Sequence, residues 1–258
     1  FFFQADDGIR DPLWSRGLGD VYKRQHVRDA EDKLEAYCIR IKDNQTSMQG
    51  FDKLVQSSLK LNNPFKINVF EAITPENTGA VYWNYPWEGE ELCLKSGLIK
   101  RAYLTVDPSK RVACFVSHRK LWEKAIELDK PILILEHDAL FIKQLDLSIL
   151  DIPFDIIGIN SPIGATRKAQ VYDAKIQQQK CQQVVPVPRI DDMFVPQGLA
   201  GNSAYIVKPI GAKALIDKVK ELGAWPNDAL MCYQNIKRLG VSTTYYTRVQ
   251  GLPSTTTR

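Results

Sequence analysis

A chain of 258 residues, 44% hydrophobic and 25% charged, has the balance of an ordinary globular protein with enough apolar mass for a sizeable core. The formal charge of +4 is spread without a run of like residues, which argues against nucleic acid or an anionic membrane surface as partner and leaves anionic small molecules open. Cys38, Cys93, Cys114, Cys181 and Cys232 are widely spaced with no C-x-x-C pair, so a zinc ribbon or disulfide scaffold is not expected, and a reduced, cytoplasmic setting without a membrane-spanning segment is.

Residues 1–25 show no helix or strand periodicity and resemble a translated sequencing-adaptor remnant of the kind found at the ends of metagenomic gene calls. They are set aside as non-native, together with their Asp6-Asp7 and Gly17-x-Gly19 decoys, which leaves a single domain over 26–258.

Residues 36–41 (AYCIRI) alternate enough for a strand, and Phe51, Leu54, Val55, Ser58 and Leu59 follow at helical spacing. Residues 67–72 (INVFEA) read as a second strand, closing a βαβ unit with an expected right-handed crossover. The stretch 74–89 is rich in proline and glycine and carries Tyr82, Trp83, Tyr85 and Trp87, which either close over the core or stack on a sugar ring or base. Asp107-Pro108 opens a helix that the apolar spacing carries to about Leu128. Cys114, Phe115, His118, Leu121, Trp122 and Ala125 share one face of it, so His118 needs a hydrogen-bond partner, as a structural residue or as one that orients a ligand or a site carboxylate.

Next comes 131–141 (PILILEHDALF), four aliphatic residues running straight into acids. An unbroken apolar run of this length reads as a strand buried on both faces, and ligands of open α/β sheets bind beyond the carboxyl ends of such strands. In extended chain Glu136 and Asp138 point to one side and His137 to the other. Two hard oxygen ligands together suit a divalent cation carrying a phosphate; the alternative is that Asp138 caps a turn and Glu136 is solvated.

Residues 154–160 (FDIIGIN) predict another buried strand. The glutamine- and proline-rich stretch 161–201 lacks a sustained period and far exceeds the usual connection of about four to six residues, as lids, acceptor-binding segments and disordered loops do. Residues 202–208 return to strand, and Pro209 opens a helix with Leu215, Val219 and Leu222 inward. A last helix is predicted from Asn227-Asp228, with Leu230, Tyr233 and Ile236 inward and Gly240 as its stop, before a strand over 241–247. Strands alternating with helices predict an α/β fold with a mainly parallel sheet.

Taken together, 113–122 (ACFVSHRKLW), 132–139 (ILILEHDA), 201–207 (GNSAYIV) and Gly211-Ala212-Lys213 resemble glycosyltransferase family 25, the lipopolysaccharide-type and collagen-type sugar transferases, over about 36–249. The resemblance implies an A-type glycosyltransferase fold, Rossmann-like with helices flanking the sheet. It implies a nucleotide-sugar donor such as a UDP-sugar, a glycan-type hydroxyl acceptor, Mn2+ or Mg2+, and inversion at the anomeric carbon. Galactose or glucose is the sugar expected to move. Position by position, Glu136 and Asp138 fall on the family's acidic motif as metal and donor ligands, Ser117, a further donor-binding candidate, and His118 on its Ser-His, and Asp228 on a late acidic residue. His118 and Asp228 are the catalytic candidates this implies, with Asp228 either the base or a third metal ligand; as residues alone, Asp228 also reads as a helix-start acid on the macrodipole. The chain departs from the family at His137, where aspartate is usual, at the end of the first strand, which reads Ile39-Arg40-Ile41-Lys42 where Ile-Asn-Leu and a basic residue are usual, and at Ala229, where a histidine often follows the late acid.

Two readings from other classes stand beside this one. A catalytically silent sugar-binding module would share the fold, since fold does not fix activity. A metal-dependent nucleotidyl or phosphoryl transferase would share the acids, although no P-loop is present.

Overall fold

A computed structural model describes residues 33–79, 89–102 and 105–255. The segment 1–25 and the aromatic positions Tyr82, Trp83, Tyr85 and Trp87 lie outside the described residues.

The chain opens with strand β1 (Glu35–Arg40), helix α1 (Gln45–Lys60) and strand β2 (Ile67–Glu71), with β1 and β2 paired in parallel. Asn44 starts α1 by accepting from the Ser47 N–H at 2.9 Å, satisfying one of the orphan donors of the first turn. The hairpin β3 (Gly89–Cys93) and β4 (Leu98–Ala102) precedes α2 (Pro108–Leu128), which Asp107 caps by accepting from Ser109 N. Then come β5 (Ile132–Glu136), β6 (Ala139–Phe141), β7 (Ile156–Gly158), α3 (Ala169–Gln177) and β8 (Val184–Pro186). The chain continues through β9 (Ala204–Val207), α4 (Pro209–Leu222), α5 (Asn227–Leu230), β10 (Leu239–Ser242) and β11 (Thr247–Val249).

Seven strands form one sheet in the order β2-β1-β5-β9-β7-β10-β8. β2, β1, β5, β7 and β10 run one way, with β9 in the middle and β8 at the edge running against them. The sheet is thus mostly parallel and flanked by helices, the α/β class the alternating elements predict. Period-two alternation sends Ile132 and Ile134 to one face, packed with Phe115, Leu121 and Trp122 of α2 and Leu215 of α4. Leu133 and Leu135 go to the other, with Leu54 of α1, Phe65 and Phe141. No helix among the described residues is long and apolar enough to cross a membrane.

Four expectations need correction. The stretch 161–201 holds α3 and β8, and Tyr172, Ile176, Val185 and Val187 are buried. A nine-residue helix with only Ala169, Tyr172 and Ile176 inward is too short to show a period amid glutamines. The predicted helix over 227–240 stops after Leu230, and Gly240 lies in β10. The glycine there serves packing: a Cβ would sit 2.7 Å from both Phe154 Cδ1 and Val184 Cγ1. The single strand over 241–247 is two, because the chain bends after Ser242 and Thr247 pairs with Phe141 of β6. Leu59, predicted inward, is 70% exposed at the end of α1.

Candidate active site

β5 ends at Glu136, His137 and Asp138 form a turn, and β6 begins at Ala139. The acids therefore stand at the carboxyl end of a strand inside the sheet, next to the ends of the parallel strands β1 and β2. Three distant segments clamp this turn. Gln250 Nε2 donates to the carbonyls of Gly50, His137 and Ala139, and Gln250 N donates to Asp138 O at 2.7 Å. Glu136 N donates to Ser203 O at 2.8 Å. Gly50 of α1 lies so close that a Cβ there would be 2.5 Å from His137 O.

Behind the turn runs a buried polar chain. Trp122 Nε1 donates to Tyr205 Oη at 2.9 Å, Tyr205 Oη lies 2.8 Å from His118 Nδ1, and His118 Nε2 lies 3.1 Å from Glu136 Oε1. Counting donors assigns the protons: with Trp122 donating, the one Tyr205 proton goes to Nδ1, and the ring's own proton sits on Nε2 facing the carboxylate. Every member is then satisfied in a site where His118, Trp122 and Tyr205 are each 0% exposed. Burial works to raise the Glu136 carboxyl, but the hydrogen bond from His118, with help from Ser203, outweighs it and holds the group below its ordinary value. His118 thus positions Glu136 and has no free edge of its own.

Asp138 differs. Its Oδ1 is buried with no hydrogen-bond partner among the described residues, and burial together with the nearby Glu136 charge pushes its carboxyl up to about 7. A buried carboxylate oxygen without a partner is costly unless something else meets it.

Two cavities meet at this pair. The first, about 480 Å³, is bounded by Ile39 of β1 and by Ile41, Ala72 and Ile73 just beyond β1 and β2, with Asn44, Thr46 and Lys110 on its wall. The second, about 370 Å³, is bounded by Arg111, Gly164, Ala165, the segment 201–203, Asn227, Asp228 and Gly251. Cys114, Glu136 and Asp138 line both. Adjacent positions on α2 thus send Lys110 to one cavity and Arg111 to the other.

The residues singled out from the sequence converge here with unequal roles. Asp228 lines only the second cavity and accepts from Ala229 N at 3.1 Å. It is open to solvent, yet the protein packed around it still raises its carboxyl, against the pull of the Ala229 N–H and Arg111. Ser117 lines the first cavity, but its hydroxyl accepts from Ile73 N and donates to Ala113 O, both at 2.9 Å, so it ties the cavity wall to α2. Cys114 Sγ, a His118 nitrogen and a Glu136 oxygen lie within 4.8 Å of one another, a grouping from which Asp138 is absent. Burial pushes the Cys114 thiol up, away from the thiolate a metal would need. Sequence reading missed Tyr205, Ser203, Asn202, Arg111 and Gln250. Of these only Arg111 and Gln250 had a signal available, as polar residues at the start of a helix or outside the predicted strands.

The model of glycosyltransferase family 25 (LPS biosynthesis protein) matches residues 35–231. Those bounds span β1 to the end of α5 and include both acids of the turn, His118 and Asp228. No curated protein matches the chain.

Proposed function

The chain belongs to glycosyltransferase family 25, and from that premise we propose that it moves galactose or glucose from a nucleotide-sugar donor, a UDP-sugar, to a hydroxyl of a glycan acceptor, with inversion. The observation that carries this reading is the meeting of two cavities at Glu136 and Asp138. One cavity suits the donor's nucleoside and the other the reacting sugars.

In this reading the base lies between the aliphatic walls of Ile39, Ile41, Ala72 and Ile73, with Asn44 and Thr46 offering polar contacts. Lys110 and Arg111 flank the path between the cavities and favour a diphosphate there. Asp138 with Glu136 would hold Mn2+ or Mg2+, a fit supported by the orphaned Asp138 Oδ1 and the all-oxygen donor set. When bound, the cation supplies Lewis-acid stabilisation of the departing diphosphate. Glu136 is held in place by His118, which is itself held by Tyr205 and Trp122. Asp228 is the base that takes the acceptor's proton. It lines the second cavity alone, on the side away from the nucleoside, as inversion requires of a base opposite the leaving group, and its raised carboxyl makes it a better proton acceptor.

The test is hydrolysis of UDP-galactose and UDP-glucose with Mn2+, with Mg2+ and with chelator. Cation-dependent release of UDP is expected; no release from any nucleotide sugar would favour the silent sugar-binding module instead.

A further inference from the structure

The second cavity contains a side chain that the proposed chemistry does not use. Asn202 is 7% exposed, yet neither its Nδ2 nor its Oδ1 has a hydrogen-bond partner among the described residues, and it lines the cavity beside Ser203. Buried amides are nearly always satisfied, so a donor and an acceptor left open side by side mark a place where a ligand completes the bonding. The backbone there is built for close approach. Gly201 sits at φ +86°, and a Cβ on it would lie 2.8 Å from Ala165 Cβ, so glycine lets the 201–203 segment close on the opposite wall.

Charge narrows the ligand. The cavity sets one cation, Arg111, against Glu136, Asp138 and Asp228. An anionic group would meet three carboxylates, and a divalent cation held by two of them brings the site only to balance. A neutral amide offering both N–H and C=O complements two adjacent hydroxyls, each of which can donate and accept. A volume of about 370 Å³ accommodates a sugar ring with part of its neighbour.

We propose that this cavity seats the acceptor's terminal sugar as a neutral pyranose, gripped through a pair of adjacent hydroxyls by Asn202, and that acidic sugars are refused. The proposal rests on the glycosyl-transfer reading and adds to it the acceptor's chemical class and the residue that selects it.

Ligand-observed NMR with methyl galactoside, methyl glucoside and methyl glucuronide, in Mg2+ with UDP present, tests it on the full chain. The wild type should bind a neutral glycoside at least tenfold more tightly than the glucuronide. Asn202→Ala should weaken that binding about tenfold while the melting temperature stays level or rises, because the open amide contributes nothing to the empty fold. Asn202→Ser, which keeps a smaller polar group, should fall between. Equal binding by Asn202→Ala, preference for the glucuronide, or loss of stability and binding together in both variants would overturn the proposal. UDP-sugar hydrolysis by the wild type, measured alongside, separates the two readings. Hydrolysis without glycoside binding defeats the subsite alone, whereas glycoside binding without hydrolysis defeats the transferase reading and leaves the sugar site standing.

Discussion

Glu136 and Asp138 are two residues apart and have opposite electrostatic fates. His118 gives Glu136 a partner that keeps it ionised, whereas Asp138 has burial and a like charge, which push it up to about 7. Asp138→Asn removes the charge and keeps the shape. If Asp138 holds the catalytic cation, turnover should fall by two to three powers of ten, on the order of 3 to 4 kcal/mol, in a folded protein. A turn cap would behave otherwise, since asparagine caps about as well as aspartate. Near-wild-type turnover in the Mn2+ assay would sink the metal role. The same variant has a pH signature in chelator. The folded carboxyl titrates near 7 and the unfolded one near its ordinary 3.8, so between these values the folded state binds more protons. Its ionisation therefore opposes folding progressively as pH rises from about 4 to about 7. Melting curves should show Asp138→Asn matching the wild type below pH 4 and exceeding it at pH 8, and saturating Mn2+ should restore the wild type. A constant difference across that range would show that the raised carboxyl is not the cause.

Elements hold these residues in place by meeting closely. The acidic turn is pinned by α1 through Gly50, by the chain after β11 through Gln250, and by the segment before β9 through Ser203. Gly50 is the tightest of these contacts. A methyl there meets His137 O at 2.5 Å and Leu252 Cδ1 at 2.8 Å, and since one of these is backbone, the turn itself must shift. Gly50→Ala should cost about 1–3 kcal/mol of stability as an overpacked contact. It should also lower cation-dependent turnover with little change in nucleotide affinity, because the first cavity's aliphatic walls lie on β1 and beyond β2. Isothermal titration with UDP next to the turnover assay checks the split; equal losses in both would mean that the helix, and not the turn, has moved.

Across the whole molecule, one sheet serves two cores. Ile134 packs toward α2 and α4 and its neighbour Leu133 toward α1, both 0% exposed on the same strand. A strand shared by both layers couples them, so the described domain should melt as one unit. Leu133→Ala and Ile134→Ala should each cost about 2–5 kcal/mol and lower one common calorimetric transition by several degrees. Two resolved transitions, each moved by one variant only, would mean that the layers unfold separately.

Short-range chemistry made part of this architecture legible from the residues alone. The aliphatic run 132–135 reads as a strand buried on both sides, Asp107-Pro108 as the opening of a helix, and acids directly after a buried strand stand at its carboxyl end. The α/β class followed from the alternation of such pieces. Signals weaken where segments are short or where glycine has two meanings. Gly240 reads locally as a helix stop, and only the nearness of Phe154 and Val184 makes it a strand residue. The orientation of β9 against its neighbours likewise had no local mark. The site's electrostatics were decided by tertiary structure alone. His118 needed a partner, which periodicity implied, but that the partners are Glu136 on one nitrogen and Tyr205, 87 residues away, on the other depends on how α2 and β9 meet across the sheet. The same holds for the amide of Asn202 and the Oδ1 of Asp138, which have no hydrogen-bond partner among the described residues. A polar atom's unmet bond is a property of the space around it, and that space is made by residues distant in the chain.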